Sequence, residues 1–167
     1  MVRDALDAAE LNRFDKAFRT HLDELHPSDL KYPDPGRYTL AKSCMADPEL
    51  AFVVEHPNIV EPARCLLQED PILTAFVIYD RTPGGPGIPA HNDYKRWRPV
   101  GSSMNWLFTV VPLCDFDEMH GQLFVAPGSH RLERVQPGPG RAQEVSEAVR
   151  PDDDAFVDPE LCRGDLL

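Results

Sequence analysis

The stretch that decides the fold runs from His91 to Arg131 and reads HNDYKRWRPVGSSMNWLFTVVPLCDFDEMHGQLFVAPGSHR. It opens on His91-Asn92-Asp93. If residues 90–94 are extended, their side chains alternate between two faces, and His91 and Asp93 then point the same way while Asn92 points away. An imidazole beside a carboxylate supplies two of the three ligands of a 2-His-1-carboxylate facial triad, which leaves open positions on non-haem Fe(II). A surface turn with a solvated His and Asp has the same spacing, so these three residues alone do not decide between the two interpretations.

The segments around the His-x-Asp pair are typical of strands joined by turns. Residues 72–80 are rich in β-branched and aromatic side chains and predict a strand. The Pro/Gly stretch 82–87 predicts a loop between that strand and the pair. Residues 104–113 and 121–126 predict two further short strands, and Pro-Gly-Ser-His-Arg at 127–131 predicts a turn. In the first strand, alternation should place Met104, Trp106 and Phe108 on one face and Asn105, Leu107 and Thr109 on the other.

The order of these pieces resembles the phytanoyl-CoA dioxygenase family of Fe(II)/2-oxoglutarate oxygenases. The resemblance is dense from Leu73 to Arg131 and returns at Gly164-Asp165-Leu166-Leu167. It implies a mostly β chain with N-terminal helices (α+β), folded as a double-stranded β-helix, a jelly-roll or cupin-like barrel that is incomplete at the C-terminus. Composition and periodicity by themselves indicate only a mixed chain with helices first and strands after.

The resemblance also implies a chemistry. His91 and Asp93 are expected to be metal ligands for Fe(II), with no catalytic residue beyond them, and Trp106 is expected in the pocket of the co-substrate 2-oxoglutarate. The implied reaction is O2-dependent hydroxylation of a small organic or acyl substrate. A non-catalytic β-barrel module that binds a ligand or partner is the alternative, and a cupin of another kind is a third, although cupins usually supply more histidines near the first pair.

A cationic run follows the pair, and Lys95, Trp97 and Arg98 within it are candidate substrate-binding residues. The chain has a net charge of −11, and cations clustered within it fit an electropositive entrance to the site that attracts an anionic substrate. A solvated loop that balances acidic neighbours explains Lys95 and Arg98 equally well. Trp97 fits a wall or lid of the site, or a plain core position.

The chain ends at Leu167, directly after the motif that, in the family, begins the strand of the second histidine ligand. The arginine that holds the far carboxylate of 2-oxoglutarate would follow on the next strand. We therefore expect a fragment that ends before the distal histidine, binds iron weakly and shows little or no turnover alone. His120 and His130 lie on the wrong elements to replace that histidine.

One partial domain is expected over 1–167. Its expected parts are a helical front (1–70), barrel strands (71–135), a Pro/Gly/Asp-rich loop insertion (136–160) and the start of the distal strand (161–167).

Apolar periodicity predicts an amphipathic helix over residues 4–26. Its apolar positions recur at spacings of three and four: Leu11, Phe14, Phe18, Leu22 and Leu25. Proline and glycine then predict a loop over 27–44.

Two shorter helices should complete the helical front. Asp47 is the expected N-cap of the first, with Pro48 in its first turn and an apolar side of Leu50, Val53 and Val54. The second should begin near Pro57 or Asn58 and end before Pro71. Its inward residues are expected to be Ala63, Leu66 and Leu67.

Composition fits an ordinary globular protein, with 167 residues, 42% hydrophobic and 27% charged. A net charge of −11 argues against nucleic acid and anionic membranes as partners. The expected partners, a small substrate that the cationic run suggests is anionic and O2, are implied by the family resemblance. The chain contains no apolar run of the roughly 18 residues that a transmembrane helix needs. It also lacks an apolar signal-peptide core, so a cytoplasmic location is expected. The four cysteines are widely spaced and predict reduced thiols.

Overall fold

The computed structural model describes residues 1–24, 38–41, 47–81, 87–88, 90, 106–129 and 153–167. In chain order the elements are α1 Ala8–Glu24, β1 Tyr38–Ala41, α2 Pro48–Ala51, a 3-10 turn Phe52–Val54, α3 Pro57–Leu67, β2 Ile78–Arg81 and a second 3-10 turn Asp153–Ala155. Helices dominate the first part of the chain, as the sequence predicts.

Helix α1 begins at Ala8 because the residues before it form a cap. The Asp7 carboxylate Oδ1 accepts hydrogen bonds from the backbone N–H groups of Ala9, at 2.8 Å, and Glu10, at 2.9 Å. The Glu10 carboxylate in turn accepts from the Asp7 N–H at 2.9 Å. This reciprocal pair is a capping box, which satisfies donors that the first helical turn leaves without partners. The helix therefore starts later than the predicted residue 4, and Asp4 has a left-handed φ of 51°.

The core lies between α1 and the short elements that follow it. Its buried side chains come from the residues just before α1, from α1, α2, the first 3-10 turn and β2: Leu6, Leu11, Phe14, Phe18, Leu50, Val53 and Ile78. Leu22 and Val54 pack against this cluster from its edge. The apolar stripe predicted for α1 is thus confirmed as far as Leu22, while Leu25 lies outside the described residues.

The two short helices begin where the sequence predicts. Asp47 accepts from the Glu49 N–H as the N-cap of α2, and His56 accepts from the Asn58 N–H as the N-cap of α3. Gln68 adopts a left-handed φ of 58° and ends α3 before Pro71. The inward position predicted for Leu66 is wrong, because its side chain is 70% exposed. Helix α3 contacts the core through Ile59, nearer its N-terminus, and Leu66 lies beyond that contact.

The sheet of the described part is a single antiparallel pair, β1 with β2. Thr39 pairs with Asp80 and Leu40 with Tyr79. The predicted loop 27–44 is therefore wrong at 38–41. The predicted strand 72–80 is confirmed only at its C-terminal end, because the four residues of β1 offer partners for 78–81 alone.

The other predicted strands are not regular in the described residues. Residues 106–113 make one reciprocal backbone pair, and 121–126 contribute one bridge, between Val125 and Val157. Pro112 interrupts the first segment because proline has no N–H to donate to a ladder. The described residues do not form a barrel, whereas the family resemblance implies a double-stranded β-helix. Val157, within the predicted insertion 136–160, lies against the second segment.

Three segments meet at the end of the chain. We call residues 2–6 the N-terminal arm, residues 162–167 the Gly-Asp segment and residues 106–113 the Trp106 segment. Val2 and Leu166 exchange both backbone hydrogen bonds at 2.8 Å, and Val110 and Leu167 exchange both at 3.0 Å. The Gly-Asp segment therefore lies in the middle, with the arm on one side and the Trp106 segment on the other.

Among the described residues, no helix combines the length and apolar character needed to cross a membrane.

Candidate active site

Most of the predicted site falls outside the described residues. This holds for the predicted metal ligands and substrate-binding residues: His91, Asp93, Lys95, Trp97 and Arg98. It also holds for His130. Of the predicted site residues, Trp106 lies within the described part of the chain. The geometry of the candidate site is therefore described for the Trp106 segment.

Trp106 is half-buried and stacks on Phe108. The two ring centroids lie 6.0 Å apart and the rings are inclined by 24°. Residues two apart share a face of an extended segment, so this stacking confirms the predicted alternation of Trp106 and Phe108 on one side. Phe108 is 40% exposed, so the pair presents an aromatic surface.

A tight turn forms the start of the Gly-Asp segment. The Asp165 N–H donates to the Cys162 carbonyl at 3.1 Å, and Gly164 adopts a φ of +89° at the third position of the turn. Glycine is required there twice over. Positive φ disfavours other residues, and a Cβ would lie 2.7 Å from the Leu6 carbonyl oxygen and 2.8 Å from Leu11 Cδ1.

Asp165 is buried at the centre of this turn, with 1% of its surface exposed. Its carboxylate accepts from Arg3 Nη1 at 2.6 Å, from the Cys162 N–H at 3.0 Å and from the Asp4 N–H at 3.1 Å. Burial alone would raise the pKa of Asp165, but the hydrogen bonds from Cys162, Asp4 and Arg3 outweigh it and lower that pKa. The carboxylate is therefore ionised at neutral pH and is fully bonded.

Arg163 ties the same turn to the end of the Trp106 segment and to Asp115 beyond it. Its backbone N–H donates to Asp115 Oδ1 at 2.8 Å, and its Nε donates to the Leu113 carbonyl at 3.0 Å. Its guanidinium also reaches Asn12 Oδ1 on α1 at 3.1 Å. Arg163 thus joins the Gly-Asp segment, α1 and residues 113–115.

The acidic turn that follows is organised by Asp117. Its Oδ1 accepts from the backbone N–H groups of Met119 and His120, both at 2.9 Å, and lies 2.8 Å from His120 Nδ1. These bonds, the backbone bond from His120 foremost, lower the pKa of Asp117. Gly121 closes the turn with a φ of +94°. The His120 imidazole is thus held by Asp117 at the surface.

Sequence patterns did not identify Arg3, Arg163 or the burial of Asp165. In the sequence, Gly164-Asp165 is recognisable only as part of a motif, and the partner of Asp165, Arg3, lies at the other end of the chain. No local pattern reveals a contact across such a separation.

Comparison with known families gives one match. The family model described as phytanoyl-CoA dioxygenase (PhyH) matches residues 1–167. The chain belongs to the phytanoyl-CoA dioxygenase family. No curated protein and no solved structure matches it. Membership confirms the resemblance and supports a dioxygenase-type oxidoreductase with a cupin-like fold, at the level of the family.

The donor types of this PhyH-family chain suit the family's chemistry. The family is generally dependent on Fe(II) and 2-oxoglutarate, and His91 with Asp93 offers the imidazole and carboxylate that non-haem Fe(II) takes. Within the described ranges, no three His, Cys, Asp or Glu side chains are grouped closely enough to hold a metal ion. The two candidate ligands lie outside those ranges.

Proposed function

We propose that this chain is the domain of an Fe(II)- and 2-oxoglutarate-dependent dioxygenase that hydroxylates a small organic or acyl substrate. The match of the phytanoyl-CoA dioxygenase family to residues 1–167 carries the proposal. The His-x-Asp pair supports it, because those residue types at that spacing suit a facial ligand set.

His91 and Asp93 are the proposed metal ligands. The neutral imidazole of His91 would donate a nitrogen, and the carboxylate of Asp93 would add the negative charge that holds a divalent cation. When bound, iron supplies the oxidising chemistry in which 2-oxoglutarate and O2 are consumed and a C–H bond is hydroxylated.

Trp106 is the proposed wall of the 2-oxoglutarate pocket. Its stacking on Phe108 favours the observed ring orientation and joins the two rings into one apolar surface. Such a surface beside a reactive centre excludes water, which protects the reaction from wasteful side steps.

Lys95, Trp97 and Arg98 are the proposed substrate-binding residues. In a chain with a net charge of −11, cations grouped beside the ligand pair would concentrate an anionic substrate there. Trp97 would contribute an apolar contact to the same substrate.

Metal binding tests the proposal most directly. The 167-residue chain is titrated anaerobically with Mn²⁺ as a substitute for Fe²⁺, and binding is followed by electron paramagnetic resonance. The titration extends to millimolar Mn²⁺, because a site with two protein ligands is expected to bind metal weakly. We expect His91→Ala and Asp93→Ala each to weaken binding by at least about tenfold. His120→Ala is the matched control, since it removes an imidazole that Asp117 holds at the surface. Equal Mn²⁺ binding by the parent and Asp93→Ala would refute the assignment.

Succinate release from 2-oxoglutarate separates the enzyme from the alternative binding module. In an enzyme, any such release depends on Fe(II) and disappears in Asp93→Ala. Absence of release in both proteins does not identify a module, because little or no turnover is expected of this chain. A non-catalytic module is instead recognised by ligand binding that survives Asp93→Ala.

A further inference from the structure

We infer that Arg3 and Asp165 are positioning residues that hold the Trp106 segment in register. The inference rests on the proposed function for the role of Trp106, and on the described contacts alone for the positioning itself. The three steps of the connection are the ion pair, the Gly-Asp segment and the Trp106 segment.

The first step joins the N-terminal arm to the Gly-Asp segment. Arg3 bonds the buried Asp165 carboxylate, and the Asp4 N–H bonds the other oxygen of the same group. Val2 pairs with Leu166 on one side of this contact, and the Leu6 N–H donates to the Gly164 carbonyl at 3.1 Å on the other. The arm thus lies along the whole outer edge of residues 164–166.

The second step joins the Gly-Asp segment to the Trp106 segment. The Gly164 N–H donates to the Pro112 carbonyl at 2.9 Å, and Leu167 exchanges both hydrogen bonds with Val110 at 3.0 Å. Gly164 therefore bonds the arm through its carbonyl and the Trp106 segment through its N–H. A shift of this residue changes both contacts together.

The third step runs along the Trp106 segment itself. Val110 is two residues beyond Phe108, the ring on which Trp106 stacks. In the described part of the chain, the Gly-Asp segment supplies the backbone partners of residues 110–112. The register of Leu167 against Val110 is therefore one determinant of the position of residues 106–110, and with them of the Trp106 ring.

The burial of Asp165 makes the loss of its ion pair with Arg3 costly. The Asp165 side chain is 1% exposed, whereas the Arg3 side chain is 48% exposed. Removing Arg3 leaves a buried negative charge with only the two backbone N–H donors, and a buried charge that loses a partner is costly. Opening of the turn, which moves Gly164 and the residues bonded to it, would bring water to Asp165 in place of the lost guanidinium group.

Backbone hydrogen exchange, followed by nuclear magnetic resonance on the full chain, tests the positioning. We expect Arg3→Ala to speed exchange of the Val110 and Leu167 amides by roughly tenfold, while the Phe14 and Phe18 amides in α1 stay protected. Arg3→Lys, which keeps a donor for Asp165, should restore part of the protection. Arg19→Ala is the matched control, because it removes the same charge from an exposed ion pair with Asp15 on α1.

Two results would overturn the inference. Faster exchange at Val2 and Leu166 alone would show that the ion pair fixes the arm and nothing beyond it. Equal acceleration in α1 and at Val110 would show a general loss of stability instead of a local change in register.

Kinetics test the consequence for the site. For Arg3→Ala we expect the KM for 2-oxoglutarate to rise by about tenfold and kcat to change less, because a displaced Trp106 weakens binding before it affects chemistry. An unchanged KM with measurable turnover would refute the link to the co-substrate. If the parent chain shows no turnover, as its expected weak iron binding predicts, the affinity of the Mn²⁺-loaded parent and of Arg3→Ala for 2-oxoglutarate replaces KM as the readout. A loaded parent that does not bind 2-oxoglutarate would count against the proposed function, and the exchange experiment would still decide the positioning.

Discussion

Arg3 Nη1 lies 2.6 Å from the carboxylate of Asp165, a residue 162 positions further along the chain. The same nitrogen donates to the Glu160 carbonyl at 2.7 Å. One guanidinium group therefore fixes both a buried charge and the backbone that precedes the turn. Closing so long a loop costs conformational entropy, which the neighbouring backbone pairs and the burial of Leu166 help to offset.

Asp165→Asn should destabilise the protein in a pH-dependent way. The pKa of Asp165 is lower in the folded chain than its unfolded value of about 3.9, so its contribution is fully present above that value and is lost as the pH falls through the folded pKa. We expect the variant to lose ~1–3 kcal/mol at pH 6, and the difference from the parent to shrink below about pH 4. Urea unfolding at a series of pH values measures it. A difference that stays constant from pH 6 to pH 2 would contradict the assignment.

Gly164→Ala should destabilise the fold more than Gly121→Ala does. Both glycines have positive φ, +89° and +94°, so both variants carry the backbone cost of about 1–2 kcal/mol. Only at Gly164 does a Cβ also meet the Leu6 carbonyl and Leu11, whereas nothing lies within 4 Å at Gly121. We expect an additional loss of ~1–3 kcal/mol for Gly164→Ala. Thermal unfolding of the two variants measures the difference, and equal melting temperatures would show that the turn can shift without cost.

The helical front was predictable because its determinants are local. The stripe of Leu11, Phe14 and Phe18 sets the buried face of α1, and Asp47 with Pro48 sets the start of α2. Caps and periodicity operate within a few residues, so a single sequence contains all the information they need. The error at Leu66 came from the limit of that information, since periodicity indicates a face but not how far the neighbouring core extends.

The site was only partly predictable, and for the opposite reason. The same-face arrangement of Trp106 and Phe108 follows from strand alternation and is confirmed by their stacking. The Arg3–Asp165 pair depends on a contact between the two ends of the chain, and no spacing rule indicates it. The roles of His91 and Asp93 stay predictions, because those residues lie outside the described ranges.

Leu50→Ala should be strongly destabilising, while Leu66→Ala should be nearly neutral. Leu50 is 0% exposed within the core cluster, and Leu66 is 70% exposed on α3. Removal of a fully buried leucine costs about 2–5 kcal/mol, because transfer energy is lost and a cavity remains. A surface truncation costs within about 0.5 kcal/mol. Denaturant unfolding of both variants measures this. A large loss for Leu66→Ala would show that this face of α3 is covered in solution.

Asp47 has two bonding roles that a pair of substitutions can separate. Its carboxylate caps α2 through the Glu49 N–H at 2.8 Å, and it bonds His21 Nε2 on α1 at 2.9 Å. The cap bond first, and the His21 bond second, lower the pKa of Asp47. Stability from this carboxylate is therefore present above the unfolded value of about 3.9 and is lost as the pH falls through the folded pKa.

Asp47→Ala removes both roles, whereas Asp47→Asn keeps a capping oxygen and loses the charge that faces His21. We expect Asp47→Ala to lower the melting temperature at pH 7 by ~2–4 °C and Asp47→Asn to lower it by less, because Asn caps a helix about as well as Asp. Below about pH 4 the parent should approach the Asn variant, since its own carboxylate becomes protonated. Scanning calorimetry of the three proteins at pH 7 and pH 3 measures both effects. Equal melting temperatures of Asp47→Asn and Asp47→Ala at pH 7 would show that Asp47 stabilises the protein through its charged bond to His21 and not through the cap of α2.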